Sequence, residues 1–555
     1  MPFITTRTGI LMRLGSIVLL GFLAACQGAP TRAAISAPDL EQRLFAIAHD
    51  SMGGRATGSR GGYLTADYIA SEFARLGLEP AGEDGTFFQT IPFFRFRGDT
   101  MGGLTAGGNR LAVGRDLVPI AAPVPNRPVD GREVILGGPL ADSTNWPAAA
   151  ALKDRIVILV PPQELDRRIG GLLGVPRRSA RMNEAAIIVI PILEKLGGET
   201  VASLIDGRVV TDTSRDGSGP LIVLATGPAA DALLGAAVAS AAPGTVGPAV
   251  GGEVGVGFFP LDFPARNVIG VLRGRDADLA QTYVSVTAHS DHVGFDRSPV
   301  DHDSIRAFNR VIRPMGADNP SREPNGAEAK EIQRILDSLR AVRPARPDSI
   351  RNGADDDGSG TVALLEVAEA FAKGERPRRS LLFVSHAAEE MGLLGSAWFT
   401  DHPTVPIDSI VSEMDMDMIG RGAKTDLPDA GPGYLEMIGT RRLSSEYGDI
   451  FDRVNARQPE PFQFNLTFDE PGHPLQYYCR ADHYSYARYG IPSMAMSRGE
   501  HLDYHQVTDE SQYIDYQALR RVARFAFDVA SEVANLDHRP ALDHPKGDPK
   551  APCVQ

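Results

Sequence analysis

Apolar and polar positions follow three successive rhythms along this chain. Between residues 39 and 80 the rhythm is helical: Ala66, Ile69, Ala70 and Phe73 fall at the i, i+3, i+4, i+7 spacing of one buried face, and Gly77 is placed to stop the helix. From about Thr100 to Pro264 short aliphatic runs take over, among them Arg155 to Val160 and Ala186 to Ile190. Gly-, Pro- and Ala-rich stretches such as Ala241 to Gly257 separate them, which predicts a β-rich segment. From Ala265 onward strand and helix patterns recur in turn. Thr282 to Thr287, Ser380 to Ser385 and Ser409 to Met416 read as strands. Asp357 to Lys373 reads as a helix with Leu364, Val367, Ala368 and Phe371 on one face, and Leu519, Val522, Ala523, Ala526 and Val533 mark a last amphipathic helix. This order predicts an α/β protein: a mixed, mostly parallel sheet flanked by helices, with the β-rich segment inserted. Ligands of such sheets sit beyond the carboxyl ends of the strands.

The two ends break the pattern. Arg7 and Arg13 precede an apolar run from Leu14 to Ala25, too short to span a membrane and suited to an export signal. The run ends in Leu23-Ala24-Ala25-Cys26, which resembles a bacterial lipobox. The expectation is a signal peptide over 1–25 and a tether over 26–38. A lipid on Cys26 would then hold an exported protein in the periplasm or cell envelope. No later stretch reaches the ~18 apolar residues of a spanning helix. Residues 537–555 carry Pro540, Pro545, Pro549 and Pro552 with little apolar content, which predicts a disordered or surface-draped tail. Cys479 and Cys553 could pair outside the cytoplasm, but the sequence leaves this open.

Composition narrows the classes. With 58 glycines and 41 prolines in 555 residues, the chain falls short of the roughly 25–30% typical of low-complexity proteins. A net charge of −14 argues against a general nucleic-acid binder, which needs a basic face. The segment 100–264 contains no histidine and no catalytic cluster, so a binding or shielding role suits it better than chemistry.

Candidate chemistry gathers after the strands of the last region. The motifs are Ala288-His289-Ser290-Asp291-His292, Gly353-Ala354-Asp355-Asp356-Asp357-Gly358, Ala388-Glu389-Glu390-Met391-Gly392, Met416-Asp417-Met418-Ile419-Gly420 and Tyr504-His505. Carboxylates gathered at strand ends repel one another unless a positive charge sits among them. No basic residue interleaves with these motifs, so a divalent cation is the economical answer. Two imidazoles with three carboxylates suit Zn²⁺ better than an all-oxygen cage. Five protein ligands exceed one catalytic zinc, and with one bridging carboxylate they serve two metals.

In this order the motifs resemble the M28 family of co-catalytic zinc peptidases, over roughly 40–95 and 265–535. The resemblance implies an N-terminal catalytic part over 39–99, a protease-associated (PA) type insert over 100–264 and a catalytic domain over 265–536. It implies two Zn²⁺ per chain and peptide substrates. His289 and Asp417 would complete one zinc, Glu390 and His505 the other, and Asp355 would bridge them, with a cis bond between Asp355 and Asp356. Asp291 would hold the free nitrogen of His289, and Glu389 would be the general base. The implied activity is aminopeptidase. A glutamate-carboxypeptidase-like exopeptidase on the same site is the alternative; it would need cations such as Arg480, Arg488 or Arg498 to hold a terminal carboxylate, and a non-catalytic binding protein is a third reading.

Other residues have plainer readings. His292, His386 and His483 read as structural, and His302 and His473 as loop residues without a partner motif. Asp357 reads as a helix N-cap. Asp509 caps a turn or supports His505. About 60 residues separate His292 from Gly353, with a predicted helix from Ala327 to Leu339. Insertions at strand carboxyl ends overhang active sites, so this one is expected to shape the cleft.

Overall fold

The computed structural model describes residues 34–121, 126–164, 176, 179–211, 220–314, 321–427, 430–544 and 546–555. The predicted signal peptide and Cys26 lie outside the described residues. The chain divides into two compact units, one formed by Met1–Thr90 with Ala265–Gln555 and one by Ile91–Pro264.

The first unit is built on one sheet. Its strands are β1 (Glu79–Pro80), β2 (Phe88–Thr90), β3 (Arg266–Leu272), β4 (Tyr283–His289), β7 (Ser380–His386), β8 (Ile410–Met416), β9 (Tyr434–Ile438), β10 (Gln463–Asn465) and β11 (Ser493–Ser497), in the order β1-β3-β7-β4-β8-β11-β9-β10 with β2 also on β3. A small separate sheet pairs β5 (Phe295–Asp301) antiparallel with β6 (Pro347–Ile350). The central strands β7, β4, β8 and β11 run parallel. Parallel strands are buried on both faces and therefore read as near-continuous apolar runs. In β7, Leu381 and Phe383 enter one apolar cluster and Leu382 and Val384 the other.

The first cluster is covered by α1 (Ala37–Ile47), α2 (Arg60–Leu76), α5 (Gly358–Lys373), α7 (Ser445–Ala456) and α9 (Tyr516–Asn535). Helices α6 (Leu394–Asp401) and α8 (His483–Ala487) contribute Phe399 and Tyr486 to the second. Helix α2 starts at Arg60, after the Ser59 cap, because the side chain of Ser59 accepts from Gly62 N. It ends at Gly77, whose φ of 75° supplies the left-handed stop that the sequence predicted. Helix α5 is apolar around most of its circumference and lies buried, which its composition demands.

The long segment between His292 and Gly353 folds as β5, α3 (His302–Ile312), α4 (Gly326–Arg340) and β6. Asn325 and Glu328 form a capping box at the start of α4. The tail is draped rather than loose: Cys479 and Cys553 are disulfide-bonded, the Gln555 side chain receives Tyr478 N, and Asp543 caps Ser445 N. No helix among the described residues is long and apolar enough to cross a membrane.

In the second unit, Arg132–Pro139, Ile156–Val160, Ile187–Pro191 and Leu221–Ala225 form a parallel set. Ile156, Ile158, Ile187 and Val189 pack on one side, and Val157, Leu159, Ile188 and Ile190 on the other. Phe94–Gly98 pairs antiparallel with residues of the strand Val246–Pro260, so residues 91–99 fall within this unit instead of ahead of it.

Candidate metal centre

Four parallel strands deliver the site. His289 is the last residue of β4, Glu389 and Glu390 follow β7, Asp417 follows β8, and the segment after β11 carries His505. Asp356 comes from the loop that enters α5. Ala388, Met418 and His505 adopt left-handed φ values of 62°, 57° and 55°. Such backbone is rare for non-glycine residues and marks the points where the chain turns inward.

The central geometry concerns Asp356. Its Oδ1 lies 3.3 Å from His289 Nε2, and its Oδ2 lies 3.0 Å from His505 Nε2 and 3.5 Å from His292 Nδ1. Asp417 Oδ1 is 3.6 Å from His289 Nε2 on the first side. Glu390 is 2.9 Å from both His505 Nε2 and His292 Nδ1 on the second. Two groups with metal-ligating spacing result: His292, Asp356, Glu390 and His505, and His289, Asp357 and Asp417.

This geometry moves the sequence assignment by one residue. The expected bridge, Asp355, faces away: its Oδ1 accepts from Gly420 N at 2.6 Å and its Oδ2 lies 3.1 Å from His501 Nε2. The physical cause is Asp509, whose carboxylate receives the amides of both Asp355 and Asp356 and fixes the loop so that only the second acid points inward. The cis peptide bond likewise joins Asp356 to Asp357. Asp357 is the cap of α5, accepting from Gly360 N, and it also receives the amides of His289 and Met418.

Asp291 also differs in detail. The His289 Nδ1 contact is to the Asp291 backbone carbonyl at 3.1 Å, while the nearest carboxylate oxygen is 3.8 Å away. The Asp291 carboxylate accepts from Glu389 N at 3.1 Å and from Thr57 Oγ1 at 2.9 Å. It therefore positions Glu389 as much as His289.

Two contributors escaped the sequence reading. His292 belongs to the second group, although its position beside His289 suggested only a structural role. Buried Arg55 pins the loops together, donating to the carbonyls of Ser290 at 2.9 Å and Gly353 at 2.8 Å, and to that of Asn352. Nothing in its local sequence signals this role. His386 is structural, as expected, with Nε2 3.0 Å from the Tyr486 hydroxyl.

Electrostatics show why the cluster needs a counter-charge. Burial drives the carboxyls of Glu389 and Asp417 upward. Burial also acts on Asp356, but His292, His289 and His505 outweigh it and hold that carboxyl well below its usual range. Burial pulls His505 down, yet hydrogen bonds to Asp356 and Glu390 lift it to about 10. Among the described residues no lysine or arginine forms an ion pair with Asp356, Glu389, Glu390 or Asp417. Asp356 Oδ2 and Asp417 Oδ1 are buried without a well-aligned donor. Inward acceptors in contact only with imidazoles, with the nearby Arg55 guanidinium engaged by backbone carbonyls, fit divalent cations.

The three arginines considered for a terminal carboxylate are engaged elsewhere. Arg480 pairs with Glu500 at 2.7 Å and Arg488 with Asp401 at 2.7 Å. Arg498 is buried and donates to the carbonyls of Tyr434, Gly422 and Gly431.

Fold and site together define an α/β protein with a candidate paired metal centre beyond its parallel strands. Residues 267–530, a little under half of the chain, match the Peptidase family M28. The chain is 32% identical to a leucine aminopeptidase 1 of Paracoccidioides brasiliensis over 220 residues, 38% of this chain and 51% of the relative. It is 33% identical to a leucine aminopeptidase 1 of Ajellomyces dermatitidis over 226 residues, 38% of this chain and 52% of the relative. The chain thus spans about half the length of the curated relatives it matches. Among solved structures it is similar to a zinc aminopeptidase from Bacillus subtilis, with 16% identity, a TM-score of 0.44, and coverage of 90% of this chain and 96% of that one.

Proposed function

We propose that this chain is an exported metallo-aminopeptidase that uses two zinc ions. The observation that carries the reading is the Asp356 carboxylate, which turns one oxygen to His289 and the other to His505 and His292. His289 and Asp417 would hold one ion, Glu390 and His505 the other, and Asp356 both. His292 holds Glu390 through its Nδ1, which also lies 3.5 Å from Asp356 Oδ2. When bound, such a pair supplies Lewis-acid chemistry and brings the pKa of a water from ~15.7 toward ~7.

The rest follows from the chain's own groups. Glu389 Oε2 lies 3.9 Å from His289 Nε2 and is not needed as a ligand, so it is free to take a proton from the attacking water. Glu389 then returns that proton to the leaving amine. Asp291 holds the Glu389 amide and Thr57, which fixes where that carboxylate sits. The pairing of Arg480 with Glu500 and of Arg488 with Asp401, and the burial of Arg498, favour attack at an amino terminus over recognition of a terminal carboxylate. The disulfide between Cys479 and Cys553 supports an oxidising compartment, in keeping with export and with a lipid on Cys26. The unit Ile91–Pro264 is read as the PA-type insert, a binding or shielding module.

Free-amine aminoacyl reporters, their N-acetylated forms and peptides blocked only at the carboxyl end test this directly. The expected outcome is release of the amino-terminal residue from free-amine substrates only, abolished by a chelator and restored by zinc. Turnover confined to free carboxyl ends, or indifferent to chelation, would overturn it.

A further inference from the structure

A second convergence of an imidazole and carboxylates lies in the insertion. His302 opens α3, Asp348 lies in β6 and Glu510 follows the segment that carries His505; their ligand-type atoms all lie within 4.8 Å of one another. His302 Nε2 is 2.9 Å from Asp348 Oδ2 and 3.8 Å from Glu510 Oε1. His302 is only 4% exposed; its Nε2 faces the two acids, and its Nδ1, on the other edge of the ring, has no hydrogen-bond partner. The sequence alone presents His302 as a loop residue without a partner motif; in the structure it is the first residue of α3.

Charge distinguishes this group from its surroundings. Three nearby acids of the insertion are matched by arginines: Asp301 by Arg340, Asp303 by Arg340, Arg343 and Arg346, and Asp296 by Arg351. Asp348 accepts from Ile350 N at 2.9 Å and Glu510 takes a hydrogen bond from the Asn352 side chain, but the only positive group opposing them among the described residues is His302, and no lysine or arginine pairs with either. Burial, then Asp348 and Asp50, push the Glu510 carboxyl up to about 7. Two carboxylates and one imidazole from three separate elements repeat, at similar distances, the arrangement around Asp356.

We propose that His302, Asp348 and Glu510 form a third divalent-cation site, distinct from the paired centre, that ties the insertion to the segment carrying His505. The imidazole selects a borderline ion such as Zn²⁺ over Ca²⁺, and water completes the coordination. Two other contacts join the same pieces: Arg306 pairs with Asp503 at 2.9 Å, and Asn309 Nδ2 donates to Leu502 O at 2.7 Å. The ion replaces the arginine that the neighbouring acids have. Its role is structural, and no chemistry is assigned to it.

The test counts metal. Full-length protein is stripped with a chelator, reloaded with ZnCl₂, desalted, and its zinc per chain measured for the wild type, His302→Gln and Glu510→Gln. Each variant is expected to bind one zinc fewer than the wild type, a fall from three to two where the paired centre is filled. An unchanged count in the folded variants overturns the proposal. Should one variant fail to fold by circular dichroism, the other decides. A wild-type count of two that persists in the variants sinks the third site and leaves the paired centre standing. A wild-type count of one that both variants lose does the reverse.

Discussion

Helix α5 carries two buried acidic clusters, and they solve the same problem in opposite ways. Within the helix, Glu366 and Glu369 meet cations from the protein itself. Arg43 lies 3.1 Å from Glu366 and 3.0 Å from Glu72, Arg75 lies 2.9 Å from Glu369, and Arg43 and Lys373 also pair with Glu369. At the helix entrance, the Asp356 carboxylate contacts only imidazoles, while the nearby buried guanidinium of Arg55 donates to backbone carbonyls. Buried carboxylates persist only when paired or bound to metal. The first cluster is balanced from within and holds the fold together. The second is left to be balanced from outside, and that is what makes it a site.

The contrast can be broken most sharply at Asp355 and Asp356. Asp356→Asn is expected to lose two zinc ions relative to the wild type, emptying the paired centre, and to abolish turnover, while Asp355→Asn keeps the wild-type zinc count by metal analysis. The reverse pattern would restore the sequence-based assignment of the bridge. Next in size, Glu389→Gln is expected to lose roughly 10²- to 10⁴-fold in kcat with zinc retained, because it removes a base and leaves the ligands alone. Unchanged turnover in the folded, zinc-loaded variant would refute the role of Glu389.

On the other side of the comparison, Arg43→Met should cost about 3–5 kcal/mol of stability by leaving Glu366, Glu369 and Glu72 short of a cation. Its zinc count should not change; denaturant unfolding and metal analysis read the two separately. The smallest expected effect lies in the insertion. Burial raises the Asp301 carboxyl, but bonds from Ser304 and Arg346 and the charge of Arg340 carry it down to about 2. A carboxyl depressed in the fold contributes stability above its unfolded pKa of ~3.9 and loses it as pH falls toward the folded value. Protection of residues 301–314 and 321–346 against hydrogen exchange should therefore fade between about pH 4 and pH 2, and a fade on raising the pH would contradict the pairing.

Much of this arrangement was legible in the sequence, for reasons that particular residues make plain. The aliphatic runs before His289, His386 and Asp417 are fully buried strands, and their carboxyl ends are where a parallel sheet presents its candidate site residues. What stayed illegible depended on partners far along the chain. Asp355 and Asp356 are neighbours of equal chemistry, and only Asp509 and His501, from a distant loop, decide which one turns inward. His292 enters the site because Glu390 crosses to it from another strand end. Arg55 works through carbonyl oxygens, which leave no trace in residue identity. Residues 91–99 join the second unit through long-range pairing with residues of Val246–Pro260, which no local pattern announces.

The central claim is that one carboxylate, Asp356, is shared by two zinc ions. Anomalous diffraction at the zinc edge from crystals of the zinc-loaded protein tests it without recourse to activity. The account predicts two peaks flanking the Asp356 carboxylate, one beside His289 and Asp417 and one beside Glu390 and His505. A single peak there, or a pair centred on Asp355, would contradict it.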